Sequence, residues 1–109
     1  MIKLYIGGAG QGQDEIARAE NPQGEIYNNF HWTVREKLSE GIDIKQWAES
    51  FCEAHPDAVV VSDEIGSGIV PVDPDERAWR EAAGRALCVV AQNAGQVTRA
   101  LCGIGVRIK

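Results

Sequence analysis

The sequence has few of the features that mark nucleic-acid-binding and membrane proteins. It has only 11 lysine and arginine residues against 16 aspartate and glutamate residues, which gives a formal net charge of −5 at pH 7. General nucleic-acid binders and membrane-surface binders need a basic surface, so the charge argues against both classes. No apolar run reaches membrane-spanning length, and glycine interrupts the first apolar stretch too early for a signal peptide. We therefore expect a cytoplasmic protein with no nucleic-acid partner and no membrane partner.

Cysteine is scarce and shows no metal or disulfide pattern. The three cysteines, Cys52, Cys88 and Cys102, are odd in number, and no CxxC pair occurs. A zinc site needs more ligands at closer spacing, and the two histidines, His31 and His55, are scattered relative to the cysteines. The cysteines are therefore predicted to be buried, reduced thiols of the kind usual in cytosolic proteins.

Length and composition predict a single α/β domain over residues 1–109. Hydrophobic residues make up 44% of the chain and charged residues 25%, which are ordinary globular values. A chain of this size builds only a modest core. Because so small a sheet leaves apolar surface to cover, we also expect a homo-oligomer, although the sequence does not specify its order.

The first half of the chain is predicted to form two strands and three helices. Thr33 and Glu36 have the spacing of a capping box, which predicts that a helix begins there and ends near Gly41. Asp43 is predicted to cap the next helix, whose apolar residues recur at the spacing of one buried face. The other predicted elements are strands at 2–6 and 25–30 and a helix that ends near residue 20.

The second half is predicted to hold the central strand and the longest helix. The continuous apolar run 58–61 is typical of a parallel strand covered on both faces. After a loop over 62–73, Asp73 and the following proline predict a helix that runs to about residue 93. Two short strands are predicted to follow. Because strands alternate with helices, we expect an α/β sandwich with a small, mainly parallel sheet of four or five strands.

The glycine-rich segment after the first strand has the spacing of a phosphate-binding loop. Gly7 and Gly12 match the glycines of the G-x-x-x-x-G-K-[ST] pattern, between a strand and a helix. Gln13 and Asp14 replace the lysine that meets the phosphates and the hydroxyl that ligates magnesium. Backbone N–H groups still favour weak phosphate binding; the alternative is a tight turn that needs glycine for its backbone alone. The residues predicted to bind nucleotide here are Gly7, Gly8, Ala9, Gly10, Gln11, Gly12, Gln13 and Asp14.

Three further segments carry a family pattern. Residues 59–71 are similar to an apolar strand followed by [ND]-E-[VI]-G-x-G-[IV]-V-P, and 77–84 are similar to R-x-[FY]-R-[DE]-x-x-G. Residues 103–109 fit a closing G-[LI]-x-x-x-[IL]-K, and Gly7 begins a G-G-A opening. The chain thereby resembles the adenosylcobinamide kinase/adenosylcobinamide-phosphate guanylyltransferase family of cobalamin synthesis. The resemblance implies a P-loop NTPase-like three-layer sandwich. It also implies a transferase that phosphorylates adenosylcobinamide and then transfers GMP to it through a guanylylated histidine.

The chain departs from this family pattern at the expected histidine. The family carries that residue in a basic H-R-x-R-R segment, and residues 21–57 contain no histidine inside an arginine cluster. His31 follows the second predicted strand, where ligands of α/β proteins bind, and is a candidate replacement nucleophile or base. The alternative is a structural or merely exposed histidine.

Two acids stand where the central strand meets the family's glycine segment. Such positions hold magnesium or orient a nucleophile in α/β enzymes. The resemblance implies magnesium and nucleotide binding for Asp63, catalysis for Glu64 and nucleotide binding for Gly66; the alternative is a pair of solvated acids in a turn. The implied ligands are GTP or ATP with magnesium, and cobinamide as the acceptor.

Three functions agree with these observations. The first is an active nucleotide-dependent transferase, which requires a cation at the γ-phosphate. The second is an inactive relative that binds a nucleotide or a corrinoid, which requires only the glycine loop. The third is a structural partner subunit, which predicts an apolar surface and no effect of nucleotide.

Overall fold

Strands and helices alternate in the computed structural model, which describes residues 1–65 and 72–109. Within these residues no helix is long and apolar enough to cross a membrane. The described elements are β1 (Ile2–Gly7), α1 (Gln13–Glu20), β2 (Glu25–Tyr27), α2 (Phe30–Ser39), α3 (Ile44–Ala54), β3 (Ala58–Asp63), α4 (Pro74–Asn93), β4 (Ala94–Leu101) and β5 (Ile104–Arg107).

The five strands form one sheet in the order β2-β3-β1-β4-β5. β1 pairs in parallel with β3 and β4, and β2 pairs in parallel with β3. Only β5 is antiparallel, because a tight turn joins it to β4. The mostly parallel sheet confirms the predicted α/β class and is consistent with a P-loop NTPase-like fold.

Helices cover both faces of the sheet. The larger core lies between the sheet and α2, α3 and α4, and it includes Phe30, Val60 and Val90. A smaller core on the opposite face packs Ala17 of α1 against Tyr5 and neighbouring valines of β3. The alternation of side chains along β3 sends Val60 to one core and its sequence neighbours to the other. The continuous apolar run therefore marks a strand buried on both faces, as predicted.

Two predicted helix starts are confirmed by their caps. The Asp43 carboxylate accepts a hydrogen bond from the backbone N–H of Gln46 at 3.1 Å. The Asp73 carboxylate accepts one from the N–H of Asp75 at 2.9 Å, and proline occupies the first helical position. Both caps rest on short-range side-chain chemistry, which is why the sequence shows them.

The predicted start of α2 is wrong. The helix begins at Phe30 instead of Thr33, and the second strand ends at residue 27 instead of 30. Asn29 takes a positive φ of 55°, and its carbonyl accepts hydrogen bonds from the N–H groups of Trp32 and Thr33. Phe30 and His31 are almost fully buried, so tertiary packing sets the start of the helix and the capping box is not used.

The predictions for the end of the central strand and for two cysteines are also wrong. β3 continues through Ser62 to Asp63, because both residues stay paired with β1 and Ser62 is 1% exposed. Cys52 is buried as predicted. Cys88 and Cys102 are exposed, since Cys88 borders an open cavity between α4 and the sheet and Cys102 lies in the turn after β4.

Candidate functional site

A cavity of about 200 Å³ lies at the carboxyl ends of β1 and β3. This is the edge at which ligands of parallel α/β sheets bind. The glycine loop between β1 and α1 forms one wall, and the end of β3 with the start of α2 forms the other. The lining residues are Gly10, Gly12, Gln13, Asp14, Glu15, Asn28, Asn29 and Asp63.

The loop takes a shape that requires glycine at two positions. Gly10 has a φ of +74° and Gly12 a φ of +94°, which side chains with a Cβ rarely adopt. Gly12 is the N-cap of α1, and its carbonyl accepts the N–H of Ile16 at 3.0 Å. The N-terminus of α1 therefore opens on the cavity, where unpaired N–H groups and the helix dipole favour an anion.

Gln13 fills the inside of the loop. Its side chain is 5% exposed, and Nε2 lies 3.1 Å from the carbonyl of Gly8, 3.3 Å from that of Gly7 and 2.7 Å from Asp63 Oδ1. Its Oε1 is buried without a hydrogen-bond partner among the described residues. The amide thus joins the loop to the end of β3, but it carries no charge at the position where a P-loop has its lysine.

His31 lies behind Asp63 and contacts it twice. The backbone N–H of Asp63 donates to His31 Nδ1 at 3.1 Å, and His31 Nε2 lies 3.5 Å from Asp63 Oδ2. Because Nδ1 accepts, the proton of the neutral imidazole is on Nε2, facing the carboxylate. The ring is 3% exposed, and Trp79 Nε1 donates to the His31 carbonyl at 2.8 Å. His31 is therefore held as a support for Asp63.

Burial sets the protonation of His31. Loss of hydration lowers the pKa of this imidazole below its ordinary value, and the negative charge of Asp63 opposes that shift only in part. The folded protein therefore holds His31 neutral near pH 7.

Acidification is expected to destabilise the fold through His31. The unfolded chain takes up a proton near pH 6.5, whereas the folded state does so only at lower pH. The unfolded state therefore binds more protons below about pH 6.5, and stability falls as the pH falls through that range. Thermal melting between pH 7.5 and pH 5.5 measures the effect. His31→Gln should flatten the profile. A profile unaffected by His31→Gln would contradict this account.

The structure separates Glu64 from the glycine-loop cavity. Its N–H donates to the Gly7 carbonyl at 2.8 Å, but its side chain lies 3.3 Å from Arg99. It lines a second, apolar cavity of about 320 Å³ between α4 and the sheet, with Leu4 and Leu87 among the other lining residues. A catalytic role for Glu64 stays a prediction, and Gly66 lies outside the described residues.

A model of the family described as "Cobinamide kinase / cobinamide phosphate guanyltransferase" matches residues 20–108. The match covers well over half of the 109 residues. The chain belongs to this family. The matched range includes His31, Asp63 and Glu64 but begins at the end of α1, so the glycine loop lies outside it. A search of the curated proteins found no match.

Membership in the cobinamide kinase/guanyltransferase family supports a role of that kind in cobalamin biosynthesis, with nucleotide and cobinamide as the family's substrates. Magnesium accompanies nucleotides in many such sites and is held there by one or two carboxylates together with phosphate oxygens. The described residues contain no cluster of three or more His, Cys, Asp or Glu side chains suited to a metal. The half-buried Asp63 carboxylate at the cavity wall fits the one-carboxylate arrangement.

The structure also shows contacts of the predicted residue Gln11, and two further lining residues, that the sequence did not indicate. Gln11 is tied to the turn between β4 and β5: its carbonyl accepts the N–H of Gly103, and its Oε1 accepts the N–H of Cys102, both at 2.8 Å. Asn28 and Asn29 complete the cavity wall. The tolerance of asparagine for positive φ was the one local signal for Asn29. The Gln11 contacts join residues that are distant in sequence, so no local sequence pattern predicts them.

Proposed function

We propose that the glycine-loop cavity binds the phosphates of GTP or ATP, with magnesium on Asp63. In this proposal the chain serves a cobinamide kinase- or guanylyltransferase-like reaction in which phosphoryl transfer is weakened. The observation that carries it is the 2.7 Å hydrogen bond from Gln13 Nε2 to Asp63 Oδ1. This bond joins the two walls of the cavity and sets a neutral amide where transfer requires a cation.

Binding is supported by the backbone. The loop keeps glycine at the two positions with positive φ, and α1 begins at the cavity with its N–H groups unpaired within the helix. Such a helix start attracts phosphate without help from net charge. Asp63, 31% exposed at the opposite wall, supplies the oxygen that magnesium prefers.

Weak transfer is supported by the charges around the cavity. A transferring phosphoryl group is stabilised chiefly by fixed positive charge, and Gln13 supplies none. Arg18 is 2.8 Å from Asp14, and Arg99 is paired with Glu64. Asp14 adds a negative charge beside the loop. If these charges abolish transfer altogether, the same proposal describes an inactive relative that binds nucleotide without transferring a group from it.

A second candidate, a structural role in an oligomer, is favoured by the last two strands. Leu101, Ile104, Val106 and Ile108 are 50–66% exposed, and β5 lies at the edge of the sheet. An exposed apolar edge is a site for association with another chain. This surface supports the expected homo-oligomer, and a partner there does not exclude nucleotide binding, because the glycine-loop cavity lies elsewhere.

The proposal is tested by thermal melting with GTP, GMP and guanosine, each with and without magnesium. A ligand at a hundredfold excess over its dissociation constant stabilises by about 2.7 kcal/mol, which shifts the melting temperature by about 10 °C or more. We expect a magnesium-dependent shift with GTP and none with guanosine. Asp63→Asn should lose the magnesium-dependent part, because the amide still accepts from Gln13 but carries no charge.

Glu53→Gln is the matched control. Glu53 is exposed near the end of α3, which leads to the amino edge of the sheet, away from the cavity. The substitution removes one negative charge and should leave the GTP shift intact. No shift at millimolar GTP, or an equal magnesium effect in Asp63→Asn, would refute the proposed site.

A further inference from the structure

Two indoles and a guanidinium form a stacked group, here termed the indole platform, at the start of α2 and α4. The ring centroids of Trp32 and Trp79 are 4.9 Å apart with an angle of 33° between the planes. Arg35 Cζ lies 4.5 Å from the centroid of Trp79 and 5.7 Å from that of Trp32. Trp32 and Arg35, both packed on the nearly buried Trp79, present a polarisable surface that is wider than a single ring.

Trp79 and Arg35 of the indole platform are fixed by other groups of the protein, whereas Trp32 is exposed to solvent. Trp79 is 8% exposed and is anchored by its hydrogen bond to the His31 carbonyl. Arg35 is held by Glu76 at 3.1 Å. Trp32, in contrast, is 53% exposed although it packs on this rigid base. An indole that is already ordered loses little conformational entropy when a flat ligand covers it.

The platform adjoins the glycine-loop cavity. The backbone N–H of Trp32 donates to the carbonyl of Asn29 at 2.9 Å, and Asn29 lines that cavity. The two surfaces are therefore about one helical turn, or about 5 Å, apart along α2. The His31 ring lies between them, 5.7 Å from the Trp32 ring and in contact with Asp63.

The position of the indole platform favours binding of the acceptor there over binding of the nucleotide. The glycine loop leads into α1, which covers one face of the sheet, whereas α2 and α4 cover the other. A triphosphate held at the start of α1 approaches from the α1 side. Beside the platform is a hollow of about 360 Å³, lined by Arg35, Leu38, Ser39, Asp75, Ala78 and Trp79. This combination of an apolar floor and a few polar groups is usual for sites that bind small molecules.

We propose that the indole platform binds the flat conjugated corrin ring of cobinamide by stacking on Trp32, with Trp79 and Arg35 as its base. The inference rests on the proposed function in one respect, that a corrinoid is the acceptor. It assigns Trp32 as the residue that determines recognition of the ring. The nearby Asp63 then lies between the bound ring and the phosphates of the nucleotide.

The test is equilibrium dialysis of the full chain against adenosylcobinamide, in which one corrin face carries no tightly bound axial ligand, read by corrinoid absorbance in the dark and without nucleotide. We expect the wild-type chain to bind and Trp32→Ala to bind about fivefold more weakly or worse, as for the loss of one stacked ring. Trp32→Phe keeps a flat ring and should recover most of the affinity. Gln23→Ala is the control, because Gln23 is exposed in the turn between α1 and β2, at the amino edge of the sheet and away from the platform.

The outcomes separate this inference from the proposed nucleotide site. Unfolding of each variant is followed in parallel, so that a loss of binding is read only from folded protein. Wild-type chain that does not bind adenosylcobinamide, or Trp32→Ala that binds it equally well, overturns the inference. The inference is also overturned if Trp32→Ala weakens the binding of GTP and leaves the binding of cobinamide unchanged. Trp32-dependent binding of cobinamide in a chain that shows no GTP shift supports the platform and refutes only the nucleotide site.

Discussion

Replacing Gln13 with lysine is expected to raise the affinity for GTP about tenfold or more. The Gln13 amide nitrogen already points at three acceptors, the carbonyls of Gly7 and Gly8 and the Asp63 carboxylate. An ammonium has three donors and suits that set better than an amide does. When GTP binds, some of these donors turn to the phosphates and form charge-assisted hydrogen bonds, each worth about 1.5–3 kcal/mol. The substitution removes the unpartnered Gln13 Oε1, so the fold should tolerate it.

The measurement is isothermal titration of GTP with magnesium into the wild-type chain and each variant. Gln23→Lys is the matched control, because it makes the same chemical change at an exposed position between α1 and β2. That turn lies at the amino edge of the sheet, so the added charge is far from the cavity. Equal affinities for Gln13→Lys and Gln23→Lys would show that the glycine loop is not where the phosphates bind.

Replacing Phe30 with alanine is expected to lower the free energy of unfolding by about 3–5 kcal/mol. Phe30 is 1% exposed, and its ring centroid lies 5.4 Å from that of Trp47 and 5.3 Å from that of Phe51. The substitution leaves a cavity between α2, α3 and the sheet. Since Phe30 is the first residue of α2, the loss also loosens the adjacent His31.

Thermal and urea unfolding measure this change. A loss of that size corresponds to a fall in melting temperature of about 12 °C or more for a chain of this length. Ile42→Ala is the control, because Ile42 is 37% exposed and exposed substitutions usually change stability by about 0.5 kcal/mol or less. A loss for Phe30→Ala as small as that for Ile42→Ala would mean that the aromatic cluster is not part of the stabilising core.

The parts of the fold that the sequence predicted are those with local signals. The caps of α3 and α4 depend on Asp43 and Asp73, each of which binds an N–H within three residues. The apolar run of β3 marks a strand covered on both faces. The alternation of strands and helices then leaves few topologies, so the mostly parallel sheet followed from local patterns.

The start of α2 and the burial of His31 depend on contacts between distant residues. Phe30 and His31 begin the helix early because the core and Trp79 hold them, and no neighbouring residue signals this. The capping box predicted by the spacing of Thr33 and Glu36 stabilises a helix start less than the burial of Phe30 and His31 does. Here tertiary packing overrides a correct local rule.

The candidate site was predictable in part. The glycine spacing placed Gln13 at the loop, but its contact with Asp63 requires β1 and β3 to be neighbours in the sheet. The separation of Asp63 from Glu64 follows from the alternation of side chains in an extended chain, which turns consecutive residues to opposite faces. That rule applied to the sequence alone separates the two acids.

The two hydrogen bonds that Gln11 accepts from the turn between β4 and β5 have a consequence for the synthesis of the chain. The shape of the loop depends on a contact across 91 positions, although the loop itself stands near the start of the chain. During translation the loop emerges first, yet it lacks its support until Cys102 and Gly103 have left the ribosome. Contacts this distant in sequence close late. A nascent chain therefore acquires the shape of its glycine loop only at the end of folding.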